Sequence, residues 1–121
     1  MQERVRVAAV AVDTKPGQIV DNLAKIDYWC RQAAEQGADL VSFQELSLSG
    51  FIPNHPTEHH ERWLRSALHH GRMTAQTIPG PATDTLKQIA ARDRILIAVG
   101  LLEDAGNLMF NTQILVDSSG L

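Results

Sequence analysis

The stretch Gly37-Ala38-Asp39-Leu40-Val41-Ser42-Phe43-Gln44-Glu45-Leu46-Ser47-Leu48-Ser49-Gly50-Phe51 decides how the rest of the chain is read. Gly37 sits where a helix C-cap favours a left-handed residue, and a strand over Ala38 to Glu45 follows at once, carried by Leu40, Val41 and Phe43. Val41, Phe43 and Glu45 share one parity, so the Glu45 carboxylate is expected to point the way the apolar side chains do. An unpaired buried carboxylate is costly. The end of a parallel strand is also where ligand crevices of open α/β sheets form, and a carboxylate there suits general-base work. On parity alone the plainer alternative is that Glu45 bends into solvent where the strand ends.

Upstream, Ile19, Leu23, Ile26, Cys30 and Ala33/Ala34 recur at spacings of three and four, which predicts an amphipathic helix over about Gln18 to Gln36. Before it, Val5 to Val12 is nearly all apolar and reads as a buried strand, broken by Lys15-Pro16-Gly17. Strand, helix and strand with tight connections make a parallel, right-handed unit. Downstream, Leu46 to Pro56 reads as a loop. Thr57 is the expected cap of a helix with Glu58 and Glu61 in its first turn, running to about His70 with Trp63, Leu64 and Leu68 facing inward. Ile78-Pro79-Gly80-Pro81 breaks the chain, and a helix over Ala82 to Arg92 presents Leu86, Ile89 and Ala90. Ile95 to Leu102 reads as a third strand, Asp104-Ala105-Gly106-Asn107 as a hairpin turn, and Leu108 to Val116 as a fourth strand. The fold class is α/β. A sheet of this kind needs both faces covered, which three modest helices do not achieve. The 121 residues are therefore expected to form the front part of a larger domain with an incomplete sheet.

Composition narrows the function classes. The 121 residues are 44% apolar and 21% charged, the balance of a soluble globular chain. Eleven Lys and Arg against 14 Asp and Glu give a net charge of -3, the wrong sign for a nucleic-acid footprint. The apolar run Ile95 to Leu102 is too short to span a bilayer, so no membrane partner is expected. Met1-Gln2-Glu3-Arg4 leads into a strand-like run, not the apolar core of a signal peptide, and the lone Cys30 suits a reducing compartment. A cytoplasmic protein is the expectation.

The segment from Gly37 to Phe51 resembles the first signature of the carbon–nitrogen hydrolase (nitrilase/amidase) family, in which a strand ends in a Phe-Pro-Glu-like motif and runs on as Leu-Ser-Leu-Thr-Gly-Tyr or similar. The flanks agree: Val5 to Val10 is similar to the family's opening strand and Asn22 to Ala34 to its first helix. Ile97 to Glu103, and Phe110-Asn111-Thr112 through Val116-Asp117 to Gly120, are similar to the next two strands, in order and spacing. The resemblance is weakest from Asn54 to Thr77. Ala11 stands where members commonly have Gln, and Gln44 where many have Pro; a Gln before the Glu occurs in some ureido-hydrolysing members.

The resemblance implies an α-β-β-α sandwich, usually a homo-oligomer, that hydrolyses non-peptide carbon–nitrogen bonds of small amide, nitrile or carbamoyl substrates with no organic cofactor. A Cys attacks the carbon, a Glu serves as base and then acid, and a Lys meets the charge of the tetrahedral intermediate, a division of labour that fits the chemistry of thiolate attack. Glu45 matches the family's Glu. The family's Lys falls shortly after the turn matching Asp117 to Gly120 and its Cys further on. Lys15, Lys25 and Lys87 all precede that turn, and none matches. Cys30, on the apolar stripe of its helix, reads as core. His55, His59, His60, His69 and His70 cluster, yet Pro56 interrupts the spacing and no Glu completes a zinc pattern, so no metal site is expected and the cluster reads as a solvated helix face. Glu103 and Asp104 read as turn acids, and Asn111 receives no chemical role. The competing reading is a half-fold that acts, without catalysis, as an interaction or subunit module.

Overall fold

The structure, a computed structural model, describes residues 4–51 and 59–120. Its elements in chain order are β1 (Val7–Val10), α1 (Ile19–Glu35), β2 (Leu40–Phe43), α2 (His60–Thr74), α3 (Pro81–Asp93), β3 (Leu96–Asp104) and β4 (Met109–Val116). The strands form one sheet in the order β1-β2-β3-β4. β1 with β2 and β2 with β3 pair parallel, joined by helical crossovers, while β3 and β4 pair antiparallel across the hairpin at Asp104 to Asn107. Gly37 is left-handed at φ 86, as its place after the helix predicts.

The core lies on one face of this sheet. Ile26 and Cys30 of α1 and Leu86 and Ile89 of α3 pack over Val41, Phe43, Ile97, Val99, Leu101, Ile114 and Val116. Arg92 fastens the two helices by bonding Asp27 of α1 at 2.5 Å and its neighbour Asp93 at 2.6 Å. The buried Asn22 side chain ties α1 to two segments above the sheet. Its Oδ1 accepts from Lys15 N, and its Nδ2 donates to Lys15 O and Leu48 O, all within 2.9 Å.

The opposite face is covered only in part. Strand alternation points Leu40, Leu96, Ala98, Gly100 and Leu102 there, with Met109, Asn111, Gln113 and Leu115 beside them on β4. α2 crosses this face at Gly71, where an added Cβ would stand 3.2 Å from Met109 and 3.5 Å from Leu102. Away from α2, Val7, Leu96 and Leu115 remain exposed.

Two expectations change. The first strand is not buried: β1 is an edge strand with one neighbour, it spans only Val7–Val10, and Val7 is 56% exposed. In α2, Leu64 and Leu68 do not face inward but lie 41% and 47% exposed, and Trp63 is half-buried. The helix instead buries Ala67, Gly71 and Thr74, since only small residues allow it this close to β3 and β4. It also runs past His70 to Thr74; the expected cap Thr57, with Glu58 and His55, lies outside the described residues.

Candidate active site

β2 ends at Phe43, two residues before the expected Glu45. Gln44 explains how the sheet survives that early stop. Its side-chain amide accepts from Val12 N at 3.1 Å and donates to Val12 O at 2.7 Å, replacing a backbone rung between the extensions of β1 and β2. The same Nε2 reaches Thr14 Oγ1, which in turn donates to Ser47 O at 3.1 Å. A proline at position 44 has no such amide.

Beyond Gln44 the chain turns sharply. Leu46 adopts φ 52, a left-handed conformation unusual for a leucine. The turn is then bolted to the free edge of β3: Ser47 Oγ accepts from Gly100 N at 3.2 Å, Ser49 Oγ from Leu102 N at 3.0 Å, and Leu48 N donates to Gly100 O at 2.9 Å. Ser47 and Ser49 are buried, so these bonds are shielded from water. The Leu-Ser-Leu-Ser run thus works as a substitute strand, its hydroxyls meeting the N–H groups that β2 no longer reaches.

This geometry corrects the parity expectation for Glu45. With the strand ended, Glu45 does not follow Val41 and Phe43 into the core; its side chain is exposed. The turn passes over Gly100 on the opposite face, where a Cβ would stand 2.4 Å from Leu46 N and 3.1 Å from the Glu45 carbonyl carbon. From there the carboxylate reaches β4: Asn111 Nδ2 donates to Glu45 Oε1 at 2.5 Å. Gln113 flanks the same spot, its Oε1 lying 2.9 Å from the Cβ position of Gly100. Glu45 therefore stands at the border between the packed turn and the uncovered sheet face.

The other sequence candidates are kept apart from this point. Cys30 is fully buried between α1 and α3, and its thiol is pushed up to about 12, chiefly by burial and further by Asp93 and Asp27, against the opposing pull of Arg92. Such a thiol is inert at neutral pH. Lys25 donates to the Asp13 carbonyl. Glu103 belongs to β3 and accepts from Thr112 Oγ1 at 2.7 Å, while Asp104 acts as the expected turn acid by accepting from Gly106 N at 2.9 Å. His59, His60, His69 and His70 lie at or in α2, and no group of three metal-ligating side chains occurs among the described residues. No described helix is long and apolar enough to cross a membrane. Asn111 is the residue that the sequence did not disclose, because contact with Glu45 depends on the β3–β4 register and not on any local pattern.

Comparison with known proteins agrees with this architecture. An amidase from Nesterenkonia sp. superposes with a TM-score of 0.65 at 22% identity over 94% of this chain and 38% of its own. A CN-hydrolase superfamily protein from Xanthomonas campestris does so at 0.69 and 20% identity, over 97% of this chain and 38% of its own. The fold is thus shared with part of each of these larger proteins. The carbon-nitrogen hydrolase family model matches residues 6–121, and the chain belongs to that family. Among curated relatives, a nitrilase from Paraburkholderia phymatum is 30% identical over 98% of this chain, and an arylacetonitrilase from Trametes versicolor 25% identical over 97%. The chain spans 35% and 38%, respectively, of the length of those two proteins.

Proposed function

We propose that this chain contributes the general base, Glu45, to a centre that hydrolyses a carbon–nitrogen bond of a small amide, nitrile or carbamoyl compound, with the nucleophilic Cys and the oxyanion-binding Lys supplied by segments beyond Leu121. The observation that carries this reading is the placement of Glu45. A carboxylate follows a parallel strand, held on a backbone fixed at Leu46 and Gly100, at the edge of a sheet face open to further structure. The residues present also exclude an internal substitute, since the sole thiol is the buried Cys30.

In this centre Glu45 takes the proton of the thiol as sulfur attacks the substrate carbon. The cation meets the negative charge that forms on an amide or carbamoyl oxygen. On an amide or carbamoyl substrate Glu45 then gives its proton to the departing amine as the carbon–nitrogen bond breaks. On a nitrile it gives that proton to the nitrogen of a thioimidate, and one water adds to that carbon before ammonia leaves and the thioester forms. In the second half it removes a proton from water, whose oxygen attacks the thioester, and returns that proton to the leaving sulfur. Each proton taken is returned, so no cofactor is required.

Replacement Glu45→Gln keeps the shape and removes the base. In the full-length gene product it is expected to lower kcat for ammonia release from small amides and nitriles by about 10²- to 10⁴-fold. Turnover unchanged by Glu45→Gln overturns the assignment. The 121-residue chain alone is expected to show no turnover.

A further inference from the structure

We infer that Asn111 is the positioning residue of Glu45: its side-chain amide fixes one carboxylate oxygen and leaves the other free to carry the proton. The inference rests on the hydrolase reading above. A glutamate has three rotatable side-chain bonds, and an exposed one samples many rotamers that must be given up before it can act at one point. A general base has to stand within hydrogen-bond reach of the proton it takes. The fixed turn settles where the Glu45 backbone lies but not where its carboxylate points. Asn111 settles that, through the 2.5 Å contact from Nδ2 to Oε1. A carboxylate only accepts, so the amide must present its nitrogen there.

Both partners are measured off the same few residues of β3. The turn that carries Glu45 is bonded to the N–H groups of Gly100 and Leu102, and Asn111 lies directly across from Leu102 in the antiparallel register. A shift of either element by one residue would part them. The chemistry of the donor also fits. A lysine or arginine at this place would hold the carboxylate as an ion pair and weaken it as a base, whereas a neutral amide orients it without a full opposing charge.

The test compares wild type, Glu45→Gln, Asn111→Ala and Asn111→Asp in the full-length gene product. The assay is ammonia release from a panel of short aliphatic amides, arylacetonitriles and N-carbamoyl amino acids, with kcat and KM measured for each variant alongside its unfolding midpoint. Asn111→Asp is nearly isosteric and on an exposed position, which keeps the test informative if Asn111→Ala folds poorly. Loss of the donor is expected to lower kcat by about ten- to a hundredfold with KM changed less than about twofold. A residue that merely supported the fold would lower the unfolding midpoint and the yield of folded protein, and leave kcat per folded molecule unchanged. Glu45→Gln inactive with both Asn111 variants at wild-type kcat and KM overturns this inference alone. A gene product without turnover, or one indifferent to Glu45→Gln, overturns the hydrolase reading and this inference with it.

Discussion

A methyl group added at Gly100 would stand 2.4 Å from the Leu46 nitrogen and 3.1 Å from the Glu45 carbonyl carbon. Both are backbone atoms, so the clash cannot be relieved by rotating a side chain. Gly100→Ala is expected to cost about 1–3 kcal/mol in a denaturant titration and to displace the turn that carries Glu45. A wild-type unfolding midpoint would mean that the turn has slack the geometry does not show. Cys30 offers a second test at this scale. With its thiol pushed up from 9.0 to about 12 in the fold, the unfolded chain loses that proton first as pH rises. Native stability should therefore decline between pH 9 and 12 through this group, and the decline should be absent in Cys30→Ala, whatever that variant loses in packing. Denaturation midpoints at several pH values give the answer, and an equal slope in both proteins contradicts it.

At the scale of the elements, the strands and helices flanking Gly37 to Phe51 were legible because their periods are clean. The stripe Ile26, Cys30, Ala33 is buried as read, and so are Leu86, Ile89 and Ala90 of α3. What misled was size. Trp63, Leu64 and Leu68 look like a buried stripe, but α2 lies against β3 and β4 through Ala67 and Gly71, and no sequence pattern announces a contact made by small side chains. Leu86→Ala should accordingly cost about 2–5 kcal/mol, while Leu68→Ala on the exposed side of α2 should stay within about 0.5 kcal/mol of wild type. Comparable losses would return Leu68 to the core. The site was legible to the same degree. Glu45 stood out by its place after a strand, yet parity sent it to the wrong face because Leu46 and Gly100 turn the chain over β3. Asn111 was illegible for a related reason: 66 residues separate it from Glu45, and only strand pairing brings them together.

At the scale of the whole molecule, one sheet face carries the α1 and α3 core while the other leaves Val7, Leu96 and Leu115 exposed beside an edge strand. Apolar surface and an unpaired edge of this kind favour association. The isolated 121 residues are expected to self-associate in sedimentation, and Leu115→Lys to shift them toward monomer; a wild-type monomer at all concentrations contradicts this. Glu45 lies at the border of that open face, where the proposed hydrolase centre would form. The most direct test is the intact mass of the native gene product in its own cells. A mass far above 13.3 kDa, with a Lys soon after Leu121 and a Cys beyond it, is the expected result. A native product of 13.3 kDa would contradict the catalytic role of Glu45 and leave this chain a binding module.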